Sequence, residues 1–401
     1  MSERLRVLVV PKWYPWPEQP VLGAFCREHA HALARRHDVV VLPSLATRRP
    51  GFGAFRLEDA REDGLRTLRV RYRRPVARPA AMGFQLAGML AALRRLRGAG
   101  WRPDVVHAHV YQAAPPALAL GRLSDAPVVV TEHYTGFQRG LVTGYDRWLA
   151  RRSFERADLV APVSAELAAR LRELAPRARL EVVPNVVDSE TFRPRADGAG
   201  RSGPGAGGGG GARLLAVAAL AEKKGHRFLL EALRELPGAE LDVVGDGELR
   251  GALERRAREL GVGGRVRFRG ALAKAEVAEL MRAADLLVLP SLAENLPVVL
   301  IEAQASGLPA VATRVGGVPE LVDDAAGTLV EPGDAAALAA AIRATLARAG
   351  EIDRARLAAR AGERFGYDAI CARWSELYAE LRSSRAGSTR SATSVRSAAS
   401  E

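Results

Sequence analysis

The chain contains 401 residues, a length that exceeds one compact core and predicts two domains. With 48% hydrophobic and 26% charged residues it has the composition of a globular protein, and its two cysteines exclude a disulfide framework and a cysteine-based zinc site. The net charge of +13 favours anionic partners: nucleic acid, acidic lipid headgroups or phosphate-bearing substrates. An arginine-rich composition without any functional role would produce the same charge.

The first half of the chain alternates short apolar runs with helical patterns. Near-continuous Val and Leu runs indicate strands buried on both faces of a parallel sheet, and parallel strands need helical crossovers. We therefore predict a doubly wound α/β domain over residues 1–194. The predicted strands are 5–10, 38–42, 103–110, 127–133, 157–164 and 180–185, and the predicted helices include 23–36, 84–98 and 165–174.

Residues 195–212 are glycine-rich and predict a linker or exposed loop. The α/β alternation then restarts over 213–365, and a cleft is expected between the carboxyl ends of the two sheets. A helix over 366–383 carries an apolar face that must dock on another element, and a disordered tail is expected over 384–401. In the second half the predicted strands are 213–220, 240–247, 266–270, 285–291, 310–314 and 327–332, and the predicted helices are 226–236, 248–261, 275–284 and 334–350.

The sequence SLAENLPVVLIEAQASGLP, residues 291–309, places two glutamates in a mostly apolar stretch. The preceding strand ends at Pro290, so Glu294 is predicted to lie in the loop at the mouth of the cleft. Pro297 suits the first turn of a helix, which places Glu302 inside that helix. A buried carboxylate needs a partner, so both are expected to approach one polar ligand at different depths. The alternative is that one is a loop charge and the other a helix surface charge.

The Glu-(seven residues)-Glu pattern, followed by ASGLP and RVGGVPELV, resembles the retaining glycosyltransferases of family 4, which have the GT-B fold. Further matching segments occur in order through roughly residues 5–380: GAFCREHAHAL, PDVVHAH, VVTEH, ADLVAPVS, VVPNVVDSETFRP, EKKGHRFLLEAL and VVGDGELR. The resemblance implies two Rossmann-like parallel-sheet domains facing a cleft, with the C-terminal helix crossing back to the first domain. It implies that residues 213–365 bind a nucleotide diphosphate-sugar and that residues 1–194 bind a glycan, lipid-linked or small-molecule acceptor.

The resemblance assigns roles to several donor-side residues. It implies that Glu302 accepts hydrogen bonds from ribose hydroxyls and that Glu294 holds hydroxyls of the donor sugar, a task that suits a carboxylate. Lys224, which lies between a strand and a helix, can neutralise a diphosphate. The family usually carries an arginine five residues earlier, but Ala219 occupies that position here. Lys223 is a substitute for that arginine or a solvated lysine.

Four glycines and two neighbours of Glu294 complete the predicted donor site. The segment RVGGVPE is expected to offer successive backbone amides to a phosphate, starting at Gly316 and Gly317, although such a pair is also typical of a tight turn. By the family pattern, Gly245 and Gly247 border the nucleotide pocket, although GDGELR lacks the third glycine of a dinucleotide fingerprint. The unusual pair Asn295 and Leu296 is expected to help select the sugar.

In the first half, His133 resembles the family histidine near the anomeric centre, where an imidazole can hydrogen-bond sugar hydroxyls; a purely structural role is the alternative. Gly23 occupies the place of the family's glycine-rich loop on the acceptor side. His109 is expected to line the acceptor side, and His107 is expected on the other strand face as a satisfied core residue. Asn185 is expected to shape the hinge, together with Asp188.

No Asp-x-Asp sequence occurs, so neither a metal-diphosphate site nor a cofactor is expected, and the diphosphate charge falls to Lys224 and backbone amides. No apolar run approaches the roughly 18–20 residues of a membrane span, and the N-terminus reads as a strand rather than a signal peptide. We therefore expect a cytoplasmic enzyme, with possible peripheral contact to an anionic membrane through residues 84–98. The same helix fits equally well as a crossover packed on the sheet.

Three other functions remain open on the sequence. A glycoside hydrolase also uses two carboxylates, but the two α/β halves and the phosphate-binding features argue against it. A GT-B sugar-nucleotide epimerase or phosphorylase is a nearer alternative. A nucleic-acid-binding protein would fit the positive charge, yet the arginines are scattered, without a basic helix or an interleaved aromatic platform.

Overall fold

The computed structural model describes residues 3–19, 21–48, 53–74, 78–194 and 211–398, with the backbone alone at 78–79 and 386–398. The strands are β1 (Arg6–Pro11), β2 (Asp38–Val41), β3 (Ser44–Thr47), β4 (Phe55–Glu62), β5 (Leu65–Arg73), β6 (Val105–His109), β7 (Val128–Glu132), β8 (Leu159–Pro162), β9 (Arg213–Val217), β10 (Glu240–Val244), β11 (Val266–Gly270), β12 (Leu286–Leu289), β13 (Ala310–Thr313) and β14 (Gly327–Val330). The helices are α1 (Ala24–Ala34), α2 (Arg78–Gly98), α3 (Ala114–Ser124), α4 (Gly144–Phe154), α5 (Ala165–Leu174), α6 (His226–Arg234), α7 (Arg250–Glu259), α8 (Lys274–Ala283), α9 (Val298–Ala305), α10 (Ala335–Ala347), α11 (Arg354–Phe365) and α12 (Tyr367–Ala398).

The described strands form two sheets. The first has the order β3-β5-β2-β1-β6-β7-β8, with β4 paired to β5, and the second has the order β11-β10-β9-β12-β13-β14. Every pair is parallel except β4 with β5. In the second sheet the strand order reverses between β9 and β12, and ligands of open α/β sheets bind at such a switch point. The prediction of two parallel-sheet α/β domains is confirmed.

The predicted strands omit β3 and the β4–β5 hairpin, and one predicted strand is misplaced. Strands β4 and β5 are joined at Asp63 and Gly64, whose φ angles are 46° and 82°. Asp-Gly between two strands is a strong hairpin signal, because both central residues need positive φ. Residues 180–185 do not form a strand; only Leu180 makes an isolated bridge, to Val160.

Helix α12 crosses back to the first domain, as predicted. Its Trp374 and Tyr378 are fully buried in a cluster with residues of β1, β2 and α1. The helix continues to Ala398, beyond the predicted end at residue 383. The disordered tail expected over 384–401 stays a prediction. Residues 399–401, and 195–210 of the predicted linker, lie outside the described residues.

Helix α2 covers the first sheet as a crossover helix. Its Met89, Leu93 and Leu96 are buried in the core together with residues of β5 and β6. Among the helices that the structure describes, none combines the length and apolar character needed to cross a bilayer.

The chain passes between the two domains twice, and the two passages lie side by side. The first passage follows α5, and the second joins α11 to α12. The Val187 N–H donates to the Phe365 carbonyl at 2.9 Å, and Val187 forms an isolated parallel bridge with Gly366. This contact locates the hinge between the domains.

Candidate active site

A pocket of about 290 Å³ lies between the carboxyl ends of the two sheets. Its position matches the cleft expected from the strand order. The first domain supplies Phe25, His133, Thr135 and Asn185, and the second supplies Val217, Lys224 and residues 294–299.

Lys224 and Glu294 form an ion pair in this pocket. Lys224 ends a 3-10 turn after β9, and its Nζ lies 2.5 Å from Oε1 of Glu294. The same oxygen accepts a hydrogen bond from the Ser291 hydroxyl at 2.7 Å. Gly225 has a φ of 65°, and a Cβ there would lie 2.0 Å from the Pro290 carbonyl oxygen, so glycine lets the two loops approach. The pair therefore places a cation and a buried carboxylate beside one ligand position.

A second lysine adds positive charge at the rim of the pocket. Lys223 is half-buried, and its Nζ donates to Oγ1 of Thr135 in the other domain at 3.3 Å. Burial lowers the pKa of Lys223, and the charges of Lys224 and Arg139 lower it further. Ala219, which stands where the family usually has arginine, is exposed nearby at the end of β9. The neighbouring charges of Lys223 and Lys224 make this rim attractive to an anion.

Glu302 lies one turn beyond the pocket lining. Val298 lines the pocket, and Glu302 lies four residues later on the same face of α9. Glu302 is half-buried. Burial raises the pKa of Glu302 to about 7; the charge of Glu28 adds to the rise and that of Lys274 opposes it. An uncompensated carboxylate in this position is suited to accept hydroxyl hydrogen bonds from a ligand.

Lys274 at the start of α8 holds the two domains together beside Glu302. Its Nζ pairs with Glu28 of α1 and lies 2.9 Å from Oδ2 of Asp188 and 3.4 Å from the Tyr367 hydroxyl. Hydrogen bonds from Thr191 and Lys274 outweigh the effect of burial and lower the pKa of Asp188 to about 2. This cluster links the hinge region to the neighbourhood of Glu302.

His133 follows β7, and both of its ring nitrogens bond to protein atoms. Nδ1 lies 3.0 Å from Oδ1 of Asn185, and Nε2 lies 3.0 Å from Nδ1 of His109. The ring packs on Phe25 with a centroid distance of 4.6 Å. In this arrangement His133 contributes its ring surface, rather than a free nitrogen, to the pocket.

The structure corrects the predicted places of His107 and His109. His109 is fully buried and stacks on the His107 ring at 4.6 Å, so it does not line the acceptor side. Residues two apart on a strand share a face, so the expectation that His107 points to the other face is wrong. Its role as a satisfied core residue is confirmed by contacts of 2.6 Å to the Tyr378 hydroxyl and 2.7 Å to Oγ1 of Thr131.

Asn295 and Leu296 touch the opposite domain as well as the pocket. Nδ2 of Asn295 donates to the His133 carbonyl at 2.8 Å, and the Leu296 carbonyl accepts from Nδ2 of Asn185 at 2.6 Å. Both residues are almost fully buried. The loop that carries Glu294 is therefore fixed by contacts across the cleft.

Comparison with known proteins assigns the chain to a family. A family model described as Glycosyltransferase Family 4 matches residues 22–191, and one described as Glycosyl transferases group 1 matches residues 211–348. Glycogen synthase of Mycobacterium tuberculosis is 33% identical over 376 residues, covering 85% of this chain and 86% of the relative. The chain is a family 4 glycosyltransferase. D-inositol 3-phosphate glycosyltransferase of Xylanimonas cellulosilytica is 32% identical, covering 75% of this chain and 76% of the relative.

Solved structures show that this glycosyltransferase has the GT-B fold. Sucrose-phosphate synthase from Thermosynechococcus elongatus superposes with a TM-score of 0.74 at 22% identity, covering 95% of this chain and all of that one. HepE from Anabaena, in complex with UDP and glucose, superposes with a TM-score of 0.73 at 19% identity, covering 94% of this chain and all of that one. These likenesses establish the fold alone.

The Gly-Gly turn of the glycosyltransferase differs from the prediction. The Gly317 amide donates to the Asn295 carbonyl at 2.7 Å and the Val318 amide to the Val315 carbonyl at 3.0 Å, so the expectation of successive free amides is wrong. At Gly316, φ is 52° and a Cβ would lie 1.8 Å from the Glu294 carbonyl oxygen. The turn supports the Glu294 loop from behind.

The other predicted glycines also allow close backbone approach. A Cβ at Gly245 would lie 2.0 Å from the Ala218 carbonyl oxygen, and one at Gly247 would lie 2.6 Å from that of Leu220. Both pack on the loop between β9 and Lys224 without lining the pocket. Gly23 caps α1 at a φ of 71°.

The sequence analysis gave no site role to several residues that organise the glycosyltransferase cleft. Buried Glu132 accepts backbone hydrogen bonds from Tyr111, His133 and Tyr134 at 2.8–2.9 Å. Burial raises the pKa of Glu132 to about 7 although these bonds oppose the rise. A carboxylate at the end of a buried strand, in VVTEH, was the available signal. Glu28, Thr135 and Lys274 act through contacts between domains that no local pattern reveals.

Proposed function

We propose that this glycosyltransferase moves a sugar, with retention and without a metal ion, from a nucleotide diphosphate-sugar to an acceptor on the first domain. The observation that carries the proposal is the pocket between the two sheets that holds the Lys224–Glu294 pair, with Lys223 bonded to Thr135 of its lining. A cationic rim suits a diphosphate, and a carboxylate suits sugar hydroxyls. HepE, which shares the fold, has been crystallised with UDP, glucose and UDP-glucose.

Donor binding would rearrange the ion pair. The Lys224 ammonium turns from Glu294 to the diphosphate and stabilises the charge that develops on the leaving group. Glu294 is then free to accept bidentate hydrogen bonds from adjacent sugar hydroxyls, while Ser291 keeps it in position. Glu302, deeper along α9, accepts the ribose hydroxyls.

Retention is part of the proposal and follows the resemblance to family 4. In the proposed reaction the acceptor hydroxyl attacks from the face that the diphosphate leaves, so no protein nucleophile is required. Contacts from Asn295 to His133 and from Lys223 to Thr135 close the two domains over the pocket. The pocket has a volume of about 290 Å³, at the lower limit for small-molecule sites, and in the proposed cycle the domains open to admit the donor and close before transfer.

The proposed acceptor is a glycan or a lipid-linked or small molecule, in polysaccharide or glycoconjugate synthesis. The printed names of two relatives, glycogen synthase and D-inositol 3-phosphate glycosyltransferase, support this range. A thermal-shift panel with UDP-, GDP-, ADP- and TDP-sugars, followed by product analysis, tests the donor. Free sugar released from a simple glycoside without nucleotide would favour a hydrolase. Sugar isomerised on its nucleotide or released as sugar phosphate would favour an epimerase or a phosphorylase.

Two glutamate variants test the site itself. Glu302→Ala is expected to abolish nucleotide-sugar binding, whereas Glu294→Ala is expected mainly to slow transfer. Glu259→Ala, which removes an exposed carboxylate on α7, is the matched control and should behave like the parent. If both site variants transfer sugar like the parent, the site assignment is wrong.

The proposal includes action in the cytoplasm with peripheral contact to an anionic membrane. It is supported by the net charge and by α4, where Tyr145 and Trp148 are 53% and 56% exposed, with rings 5.6 Å apart. Exposed Arg147 and Arg152 flank them, a combination typical of interfacial helices. Co-sedimentation with anionic vesicles should fall several-fold for Trp148→Ser. Equal sedimentation with neutral vesicles, or with the variant, would contradict this part.

A further inference from the structure

Asn185 contacts two histidines of the first domain and the backbone of the second domain. It follows α5 on the first passage between domains and is only 5% exposed. Its Nδ2 donates to the Leu296 carbonyl of the second domain at 2.6 Å. Its Oδ1 lies 3.0 Å from Nδ1 of His133 and 3.4 Å from Nε2 of His29.

The Leu296 carbonyl fixes which way the Asn185 amide points. A carbonyl oxygen can only accept, so the amide nitrogen must face Leu296 and the amide oxygen must face the histidines. An amide oxygen has no hydrogen to donate. Nδ1 of His133 must therefore carry a hydrogen, and so must Nε2 of His29.

The remaining nitrogen of His133 is fixed by the next ring. In a neutral imidazole with hydrogen on Nδ1, Nε2 is an acceptor. The group 3.0 Å from it is Nδ1 of His109, which must then be the donor. Nε2 of His109 then carries a lone pair and no hydrogen, and this atom is buried without a hydrogen-bond partner. The opposite tautomer would bury an unpartnered N–H there instead, which costs more than an unpaired acceptor lone pair.

We propose that Asn185 is a positioning residue that locks His133 as the neutral Nδ1–H tautomer at the edge of the donor pocket. The lock is assembled across the domain contact, because the orienting carbonyl belongs to Leu296. Only the catalytic consequence of this tautomer rests on the proposed function. A neutral His133 ring avoids placing a positive charge beside the sugar carbon that becomes electron-poor as the diphosphate leaves. The tautomer itself does not depend on which substrate is used.

Nitrogen NMR of the full-length protein labelled with ¹⁵N-histidine tests the proposal, because the tautomers differ in their long-range proton–nitrogen correlations. The signals of His133 are assigned by their loss in His133→Gln. In the parent we expect one neutral Nδ1–H population. In Asn185→Ala the Nδ1–H to Nε2–H ratio should fall about fivefold, the ratio that one net neutral hydrogen bond supports.

Two further variants make the result specific. Asn185→Asp retains an acceptor for His133 and should keep the Nδ1–H signal. This variant still tests the proposal if Asn185→Ala folds poorly. Thr131→Val removes the partner of His107 in the same row of rings and should leave the His133 tautomer unchanged. An Nε2–H signal in the parent, or an unchanged ratio in a folded Asn185→Ala, would overturn the proposal. The NMR experiment uses no nucleotide-sugar, so its result does not depend on the transferase function. A failure of that function would appear only in the nucleotide-sugar thermal-shift panel.

Discussion

Replacing Lys224 by methionine should destabilise the second domain by about 3 kcal/mol at pH 7. The substitution retains the apolar stem of the side chain but removes the ammonium that neutralises Glu294. The two side chains are only 16% and 6% exposed, so solvent cannot replace the lost partner. Breaking a buried pair typically costs about 3–5 kcal/mol. Ser291 remains as a single hydroxyl donor to the carboxylate.

Urea unfolding followed by far-UV circular dichroism measures the effect. None of the five tryptophans lies between residues 213 and 365, so tryptophan fluorescence reports the other domain and serves as an internal reference. Adding Glu294→Gln to Lys224→Met should restore part of the stability. Arg267→Met breaks an exposed pair with Glu240 in the same sheet and should cost under about 1 kcal/mol. A loss below about 1 kcal/mol at pH 7 would refute the reasoning.

Three further predictions concern the pH dependence, a backbone contact and the domain contact. Donor binding should strengthen about tenfold from pH 6 to pH 8, because Glu302, with its pKa raised to about 7, accepts hydroxyl hydrogens best when ionised; calorimetry should show no such change in Glu302→Gln. The raised pKa also means that this group's contribution to stability is full below about pH 4.5 and is lost as the pH rises through about 7. Gly23→Ala should lower stability by more than about 1–2 kcal/mol, because φ is 71° and a Cβ would lie 2.2 Å from the Trp13 carbonyl carbon, whereas Gly83→Ala in open space should be neutral or stabilising in the same urea titration. Lys274→Met should raise the radius of gyration in solution scattering, and an unchanged radius would show that its ion pairs do not hold the domains together.

The strand pattern predicted where the main site residues lie but not how they pair. Lys224 and Glu294 each follow a predicted strand of one parallel sheet, and carboxyl ends of parallel strands meet at the same edge. Their ion pair joins residues 70 positions apart and depends on loop conformations stabilised by Gly225 and Gly316. No local pattern reports such a contact. The free amides expected at Gly317 were wrong for the same reason, because the Asn295 carbonyl reaches them only in the folded loop.

Contacts between the domains lay beyond the sequence for another reason. Lys274 and Glu28 are 246 positions apart in the chain, and the sequence pattern suggests that each is a solvent-exposed helix residue. Only the relative placement of the two sheets brings them together. The shared face of His107 and His109, by contrast, could have been predicted from the sequence. The two-residue period of a strand places residues two apart on the same side. The Asp63–Gly64 hairpin was likewise readable from its turn residues.

The double passage of the chain limits how the enzyme can open. Two halves joined by a single tether can separate in any direction, but here Val187 is bonded to Phe365 where both passages meet. Such an attachment acts as a pivot and favours rotation about one line over sliding or detachment. Asn185 lies two residues from this pivot, within about 7 Å, so a rotation of roughly 10° would displace it by only about 1 Å. Such a rotation would widen the cleft at its outer rim while the groups beside the pivot keep their alignment.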